Sequence, residues 1–400
     1  MKRISLFGYG KTTKAIAKNL TNITFYDDKC IKPFIDENGH KIKPSTEFNP
    51  KYSDLEIVSP GIPPSSLLIQ KANNLVSDYD YFSDKIPFSI WISGTNGKTT
   101  TTQMVQHLLK DKGSLEGGNI GIPLADLDQN APIWILETSS FTLHYTNIAK
   151  PNIYILLPLS PDHLSWHGDM EQYEKAKLKP LDSMREGEIA IIPAKYKDIK
   201  TDAHLIAYDD EDDLAKIFQI DIDKVKFKGA FLVDALLAMG IEKILFDKID
   251  YGKINSFTID PHRQEELKDS KGRLWVNDTK ATNIDATIAA INRYKNSFIH
   301  LILGGDDKGV DLTQLFEFMK DYQLRIYAIG SNQDKLIELS KNYKIESTLS
   351  KNLKDAMIDI DKNLTKDGIA LLSPAAASLD QFSSYAQRGD QFKEFIKSLS

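Results

Sequence analysis

Cysteine is almost missing: Cys30 is the only one in 400 residues. A single thiol makes no internal disulfide, which excludes a disulfide-stapled secreted scaffold and points to a reducing cytoplasm. No Cys/His motif surrounds it, so it reads as a small, partly buried side chain. A basic excess is missing too. Lys plus Arg number 50 against 56 Asp plus Glu, a formal net charge of -6. A chain whose main partner is nucleic acid usually shows the opposite balance. No uncharged apolar run approaches the roughly 18 residues of a membrane span, and residues 1–8 turn into a glycine loop before a signal-peptide core forms. What is present is an ordinary globular mixture, 41% hydrophobic and 26% charged, which excludes a disordered or fibrous chain. At about 150 residues per domain, the length predicts two or three domains.

Short apolar runs alternate with turn signals along the whole chain. Residues 3–7, 22–26 and 55–58 read as strands, with a helix-like stretch at 13–20 behind Gly8-Tyr9-Gly10. A second unit opens at the apolar run 88–92. It carries strands at 133–136, 152–157 and 188–192 and a helix over 170–179, and it ends near Asp260. A third unit carries strands at 274–277, 298–303, 324–329 and 368–372. Repeated strand–helix alternation predicts α/β layers with parallel sheets, divided at 1–86, 87–260 and 261–400.

The strongest chemical signal is Ser93-Gly94-Thr95-Asn96-Gly97-Lys98-Thr99-Thr100, which follows a strand and precedes a helical pattern at Met104, Val105, Leu108 and Leu109. Glycines let backbone N–H groups turn onto phosphate oxygens, and the following helix N-terminus favours negative charge. Lys98 can meet the terminal phosphates and Thr99 can ligate Mg2+. Two residues separate the glycines here, where the general phosphate-loop pattern has four. The earlier Gly8-x-Gly10-x-x-Thr13 is a weaker signal. An ordinary βα turn explains it about as well as a dinucleotide loop, although Asp27 and Asp28 lie near the spacing at which an acid meets a ribose.

Further candidates sit at strand ends. Glu137 follows the strand 133–136 and can hold Mg2+ directly or through water. Asp162-His163 follows the strand 152–157 and offers a carboxylate and an imidazole. His167 lies four residues on, but no Cys cluster or further His spacing supports zinc. Lys177 sits among Lys175 and Lys179 on a helix that reads as a solvated face. Asp278–Asn283, Gly304–Gly309 and Ser373–Ser378 each follow a strand of the third unit. In a parallel sheet such loops share one edge, where open α/β folds bind ligands.

Taken in order, these segments resemble the Mur ligase family, most closely its members that add D-glutamate. The resemblance runs through Gly94–Thr100, Gly118-Asn119-Ile120-Gly121, Glu137-Thr138-Ser139-Ser140-Phe141, Asp162-His163, Ala176-Lys177-Leu178, Pro261-His262-Arg263, Asn277–Asn283 and Leu303–Gly309. It ends in Ser378-Leu379-Asp380-Gln381-Phe382 and Gln387-Arg388-Gly389-Asp390-Gln391-Phe392. The short phosphate loop is the form this family uses. The resemblance implies three α/β domains: a Rossmann-like N-terminal one (1–86) for a uridine nucleotide substrate, a central P-loop ATPase type with a mostly parallel sheet (87–260), and a Rossmann-like C-terminal one (261–400) for D-glutamate. It implies an ATP-dependent ligase that activates UDP-N-acetylmuramoyl-L-alanine as an acyl phosphate, in the cytoplasmic steps of peptidoglycan synthesis that serve cell shape and division.

By motif, the resemblance assigns Lys98, Lys177, His163 and Glu137 to catalysis. It assigns Gly94, Thr95, Asn96, Gly97, Lys98, Thr99, Thr100, Arg263 and Asp278 to ATP. Lys11, Thr12, Asp27, Asp28, Ser59, Gly61 and Asn119 fall to the UDP-substrate. Thr282, Lys308, Ser378, Leu379 and Tyr385 fall to D-glutamate. Thr99, Glu137, His163 and Lys177 would arrange two Mg2+ ions, with Lys177 carbamylated by CO2. Neither nucleic acid nor membrane is an expected partner, and a monomer acting on small molecules is expected.

One stretch departs from the family pattern. Where Gly-x-His-Asn-x-x-Asn is usual, this chain reads Gly229-Ala230-Phe231-Leu232-Val233-Asp234. The imidazole and amide groups that usually lie near the nucleotide base are missing, so weak purine discrimination is expected. Three alternatives stay open at this point: another ligase of the superfamily such as a folylpolyglutamate synthase, a nucleotide-driven switch, and a nicotinamide dehydrogenase resting on Gly8-x-Gly10 alone.

Overall fold

A computed structural model describes residues 2–307 and 309–399. It contains three six-stranded sheets. The first comprises β1 (Ile4–Phe7), β2 (Ile23–Asp27), β3 (Phe34–Ile35), β4 (Lys41–Pro44), β5 (Leu55–Val58) and β6 (Leu75–Val76). The second comprises β7 (Phe88–Ser93), β8 (Ser114–Gly118), β9 (Ile133–Glu137), β10 (Ile153–Leu156), β11 (Ile189–Pro193) and β12 (His204–Tyr208). The third comprises β13 (Glu265–Lys268), β14 (Leu274–Asn277), β15 (Ile299–Gly304), β16 (Leu324–Ile329), β17 (Glu346–Lys351) and β18 (Ile369–Leu372).

Their orders are β3-β4-β2-β1-β5-β6, β12-β11-β10-β7-β9-β8 and β13-β14-β18-β15-β16-β17. Every neighbouring pair is parallel except β3–β4 and β13–β14. In the second sheet β7 lies between β9 and β10. The chain therefore leaves β7 toward one side and later returns on the other. The crevice at such a switch point, beyond the carboxyl ends of the strands, is where open α/β sheets receive ligands.

The central strands are near-continuous apolar runs because helices cover both faces. Ile90, Trp91 and Ile92 of β7 and Trp134, Ile135 and Leu136 of β9 are all fully buried. In β15 the pleat sends Leu301 and Leu303 into one cluster with Phe316 and Leu336. Ile302 goes to the other face, with Trp275, Tyr327 and Phe392. The helices between strands start at side-chain caps legible in the sequence: Asp169, Asp210, Asn283, Asn352 and Ser384 each accept a backbone N–H from the first turn.

The chain falls into two compact units, one running to Phe257 and the other beginning at Thr258. The first two sheets share the first unit because one core joins them, taking in Leu6, Phe25 and Ile57 with Trp91, Trp134 and Leu136. The parallel α/β expectation is met, while several sequence boundaries shift. The helix expected at 13–20 spans Lys11–Ala17, since Gly10 already serves as its cap. The helix expected at 170–179 ends at Leu178, and Pro180 opens a separate turn. Strands β3, β4, β6, β8, β12, β13 and β17 were not expected. Most lie toward sheet edges and carry polar or glycine-rich sequences such as Glu346–Lys351, without an apolar run to betray them. No helix among the described residues is long and apolar enough to cross a membrane.

Candidate active site

The loop after β7 is shaped by two glycines at positive φ, Gly94 at 144° and Gly97 at 84°. Neither tolerates a side chain. A Cβ on Gly94 would stand 2.4 Å from Leu157 Cβ, and one on Gly97 would stand 2.6 Å from Asp234 Oδ1. Thr95 Oγ1 pairs with the Tyr173 hydroxyl at 2.8 Å and receives the Ser160 N–H at 3.0 Å, which fixes the middle of the loop. The Lys98 ammonium bends back over it and donates to the carbonyls of Gly94 and Thr95, both at 2.8 Å. The helix Lys98–Leu109 begins directly behind, so the N–H groups of its first turn face the same space.

Glu137, at the end of the neighbouring strand β9, is 2% exposed. Its Oε2 accepts the Thr99 hydroxyl at 2.8 Å and its Oε1 accepts the Asn119 amide at 2.6 Å. The Asn119 backbone N–H also bonds the Glu137 carbonyl. One carboxylate thus ties the phosphate-loop helix to the segment Gly118–Gly121. That segment is joined to the helix Lys11–Ala17 behind β1, because Lys11 Nζ donates to the Gly121 carbonyl at 2.5 Å.

Lys177 is the residue whose surroundings the helix pattern misjudged. It is 1% exposed, not solvated. Its Nζ donates to Ser93 Oγ at 3.1 Å and to the Gly94 carbonyl at 2.8 Å, directly beneath the loop. Burial, and next the Lys98 cation, push its pKa well below the usual lysine range, against the pull of Asp162 and Glu137. Lys175 on the same helix is exposed. The helix buries Tyr173, Ala176 and Lys177, one i, i+3, i+4 face, so the lysine occupies a core position.

His163 opens the short helix Leu164–His167 at φ 54°. Its half-exposed ring lies 3.4 Å from Asp162 and edge-on to Phe141. The His167 Nε2 meets Ser140 Oγ at 2.9 Å. Burial, then the charges of His144, His163 and Lys177, lower its pKa to about 4. Among the described residues no three His, Cys, Asp or Glu side chains converge as a metal cage. Mg2+ prefers oxygen donors and usually keeps several waters, bound through one or two carboxylates and substrate phosphates. Thr99 and Glu137 supply the oxygen donors such an ion prefers.

In the first sheet, Asp27 accepts the Tyr9 N–H at 2.7 Å and the Lys29 N–H at 2.8 Å, which closes the glycine turn. Ser59 faces Gly8, where a Cβ would stand 3.0 Å from its own. Thr12 is half-buried, Asp28 is exposed, and the Gly61 carbonyl accepts the Trp166 indole N–H.

The second unit has its own strand-end cluster. Asp278 is buried. Its Oδ2 accepts the Ser373 hydroxyl at 2.8 Å and its Oδ1 the Gln264 N–H at 3.2 Å. Burial raises its pKa to about 7, opposed by those two bonds and by the nearby Arg263 cation. Asp306 and Ala377 exchange backbone bonds, which laces the loop after β15 to the loop after β18. Ser378 is buried and its carbonyl receives the Gln381 and Phe382 N–H groups. Thr282 and Leu379 are exposed. Tyr385 carries the Lys280 ammonium 4.0 Å above its ring. Lys308 lies outside the described residues.

Several polar groups escaped the sequence reading: Ser93 under Lys177, Tyr173 on Thr95, Thr101 on Asp234, and Arg388 on Thr279 and Ala376. Each lies inside a quoted or neighbouring motif, but its partner is remote in sequence.

Comparison with known proteins supplies the family. Residues 92–235 match the Mur ligase middle domain. The chain is 54% identical to UDP-N-acetylmuramoylalanine–D-glutamate ligase of Campylobacter jejuni strain 81-176, covering 99% of this chain and 100% of that one. It is 46% identical to the same-named protein of Helicobacter pylori strain 26695, covering 98% and 99%. Among solved structures, MurF ligase of Thermotoga maritima in complex with ADP aligns with a TM-score of 0.59 at 15% identity, covering 99% and 97%. FolC of E. coli aligns at 0.54 over 84% of this chain and 99% of that one. At such identities these two share the fold. The full-length relatives, and the order of the strand-end motifs, place the chain in the Mur ligase family, among the UDP-N-acetylmuramoylalanine–D-glutamate ligases.

Proposed function

We propose that the chain joins D-glutamate to the L-alanine carboxylate of UDP-N-acetylmuramoyl-L-alanine, driven by ATP, as a monomeric cytoplasmic enzyme of peptidoglycan synthesis. The observation that carries this reading is similarity at 46% to 54% identity, over the whole chain, to ligases of that name. The residue types around the loop after β7 support it. In the first step a carboxylate oxygen attacks the γ-phosphorus of ATP, an acyl phosphate forms and ADP leaves. In the second the amine of D-glutamate attacks the acyl carbon. The amide bond forms, phosphate departs with the C–O bond pair, and the amine gives up a proton.

Two anions must meet in the first step. The N–H groups of Gly94–Thr100 and the Lys98 ammonium receive the phosphates. Thr99, Glu137 and His163 are the groups that would hold Mg2+, which when bound supplies charge neutralisation between carboxylate and phosphate. Lys177 meets the requirement for carbamylation. Its depressed pKa favours the neutral amine, whose nitrogen can add to CO2 as one proton leaves, giving an anion where a cation stood. Asn119, with Lys11, Thr12, Asp27, Asp28, Ser59 and Gly61, orients the UDP-substrate. Arg263 and Asp278 serve ATP. Thr282, Lys308, Ser378, Leu379 and Tyr385 serve D-glutamate. The corresponding domains are 1–86, 87–260 and 261–400.

Phosphate release by the purified full chain tests the reading. Release should require ATP, UDP-N-acetylmuramoyl-L-alanine and D-glutamate together, and L-glutamate should not replace the D-isomer. Lys308→Ala should raise the KM for D-glutamate far more than that for ATP. Full ATP turnover without D-glutamate would identify a nucleotide switch instead.

A further inference from the structure

We propose that Asp234 is a positioning residue for the phosphate loop, holding Gly97 and the first turns of the helix Lys98–Leu109 in the shape that receives ATP. The inference rests on the reading of that loop as the triphosphate site.

It starts from the stretch that departs from the family pattern. The helix Ala230–Phe246 follows Gly229 and is apolar almost throughout. Asp234 stands near its start, buried to 2% exposure, with Ala235, Leu236 and Leu237 fully buried beside it. A carboxylate so placed is costly unless polar groups receive it. Thr101, itself fully buried, donates its hydroxyl to Asp234 Oδ1 at 2.8 Å. The Gly97 carbonyl lies 3.2 Å from the same hydroxyl. Thr101 has one proton to give, and the Asp234 oxygen is the nearer of its two acceptors.

The same Oδ1 fills the space beside the Cα of Gly97, where a Cβ would come within 2.6 Å. The carboxylate therefore backs the left-handed glycine that turns the loop into the helix. From its own helix it also packs against Gly97, the N-cap residue of Lys98–Leu109, whose N-terminal end favours an anion. Removing it would leave Gly97 without its backing and the Thr101 hydroxyl with a weaker partner. Phe231 and Leu232 cannot take that place, because neither carries an acceptor.

The geometry separates loop positioning from general packing. Binding of ATP to the full chain, measured by calorimetry, and the KM values for ATP and D-glutamate read the difference. Asp234→Ala should weaken ATP binding about tenfold or more, the scale of a lost bond to a charged group. The D-glutamate KM should stay within about twofold of wild type, below the change that bond loss implies. Asp234→Asn keeps an oxygen acceptor of the same shape and should restore most of the affinity. Thr101→Val, which keeps the volume, should reproduce the alanine effect, and the double variant should be no worse than either single one. If Asp234→Ala does not fold, Thr101→Val and Asp234→Asn carry the test. Unchanged ATP affinity in Thr101→Val overturns the proposal, as does an equal rise in both KM values. A wild-type chain that binds no ATP would instead overturn the reading of the loop itself.

Discussion

Two basic side chains, Lys177 and Arg388, are buried to the same 1% exposure, one beneath the central sheet's phosphate loop and one in the C-terminal unit. Among the described residues both spend their hydrogen bonds on hydroxyl and carbonyl oxygens. Lys177 has Ser93 Oγ and the Gly94 carbonyl. Arg388 has Thr279 Oγ1 and the carbonyls of Thr279 and Ala376. Burial lowers the Arg388 pKa to about 10, so the guanidinium keeps its proton at neutral pH. The amine of Lys177 starts lower and is pushed well down, with a second cation, Lys98, close by. The same burial therefore favours the neutral amine in one group and leaves the other a charged strut.

The comparison breaks most visibly through activity. Lys177→Ala should lower turnover about ten- to a hundredfold, while exposed Lys175→Ala stays near wild type. Stripping CO2 from the buffer should lower the wild-type rate and bicarbonate should restore it. A fully active Lys177→Ala enzyme would show that the buried amine has no part in turnover.

Stability should move in opposite directions at the two sites. Arg388→Met takes the guanidinium donors from the Thr279 and Ala376 carbonyls and leaves the Thr279 hydroxyl only its bond to the Tyr385 carbonyl, at a cost of about 2–4 kcal/mol read by denaturant unfolding. Lys177→Met should raise Tm in CO2-free buffer. The lysine's folded-state pKa is depressed, so its contribution is complete only above the ordinary lysine pKa and is lost as pH falls. The gain from Lys177→Met should accordingly be larger at neutral pH and shrink toward strongly alkaline pH. A destabilised Lys177→Met in CO2-free buffer at neutral pH would show that the amine is held as comfortably as the guanidinium.

Asp278 supplies a buried acid to set beside the buried amine. Its pKa rises from 3.8 to about 7, so its stabilising share is complete below 3.8 and is lost as pH rises through 7. Asp278→Asn should raise Tm at pH 8 and change it little at pH 4. Thermal melts across that range decide it, and a gain independent of pH would refute the assignment.

The smallest effect concerns the base of the nucleotide. Phe231 and Leu232 are buried apolar groups, and Asp234 is engaged by Thr101. With few side-chain donors to offer a purine, GTP and ITP should support turnover within about a hundredfold of ATP. A larger ATP preference would mean that backbone groups read the base.

Much of the candidate site is legible in the sequence. Gly94 and Gly97 behind an apolar strand mark a glycine loop that leads into a helix, and Glu137 and Asp162-His163 stand out by closing or following strands. The ranking of the lysines was not legible in the same way. Lys175, Lys177 and Lys179 look alike in the sequence, and only the face shared with Tyr173 and Ala176 marks Lys177 as inward. That face was available as an i, i+3, i+4 spacing, but the surrounding charges masked it. Arg388 was visible as part of a motif and silent about its role, since Thr279 lies 109 positions away.

The sequence by itself determined the loop shapes, the strand–helix alternation and the order of motifs that marks the family. These depend on residues within a few positions of one another: a glycine that can take positive φ, a cap one turn before its N–H, an apolar run long enough for a strand. Only the tertiary structure decided which charges are buried and what receives them. Lys177 meets Ser93 across 84 positions, Asp278 meets Ser373 across 95, and Asp234 meets Thr101 across 133. Desolvation and charge compensation are set by whatever the fold brings within a few ångströms, and no local pattern in the chain encodes that neighbour.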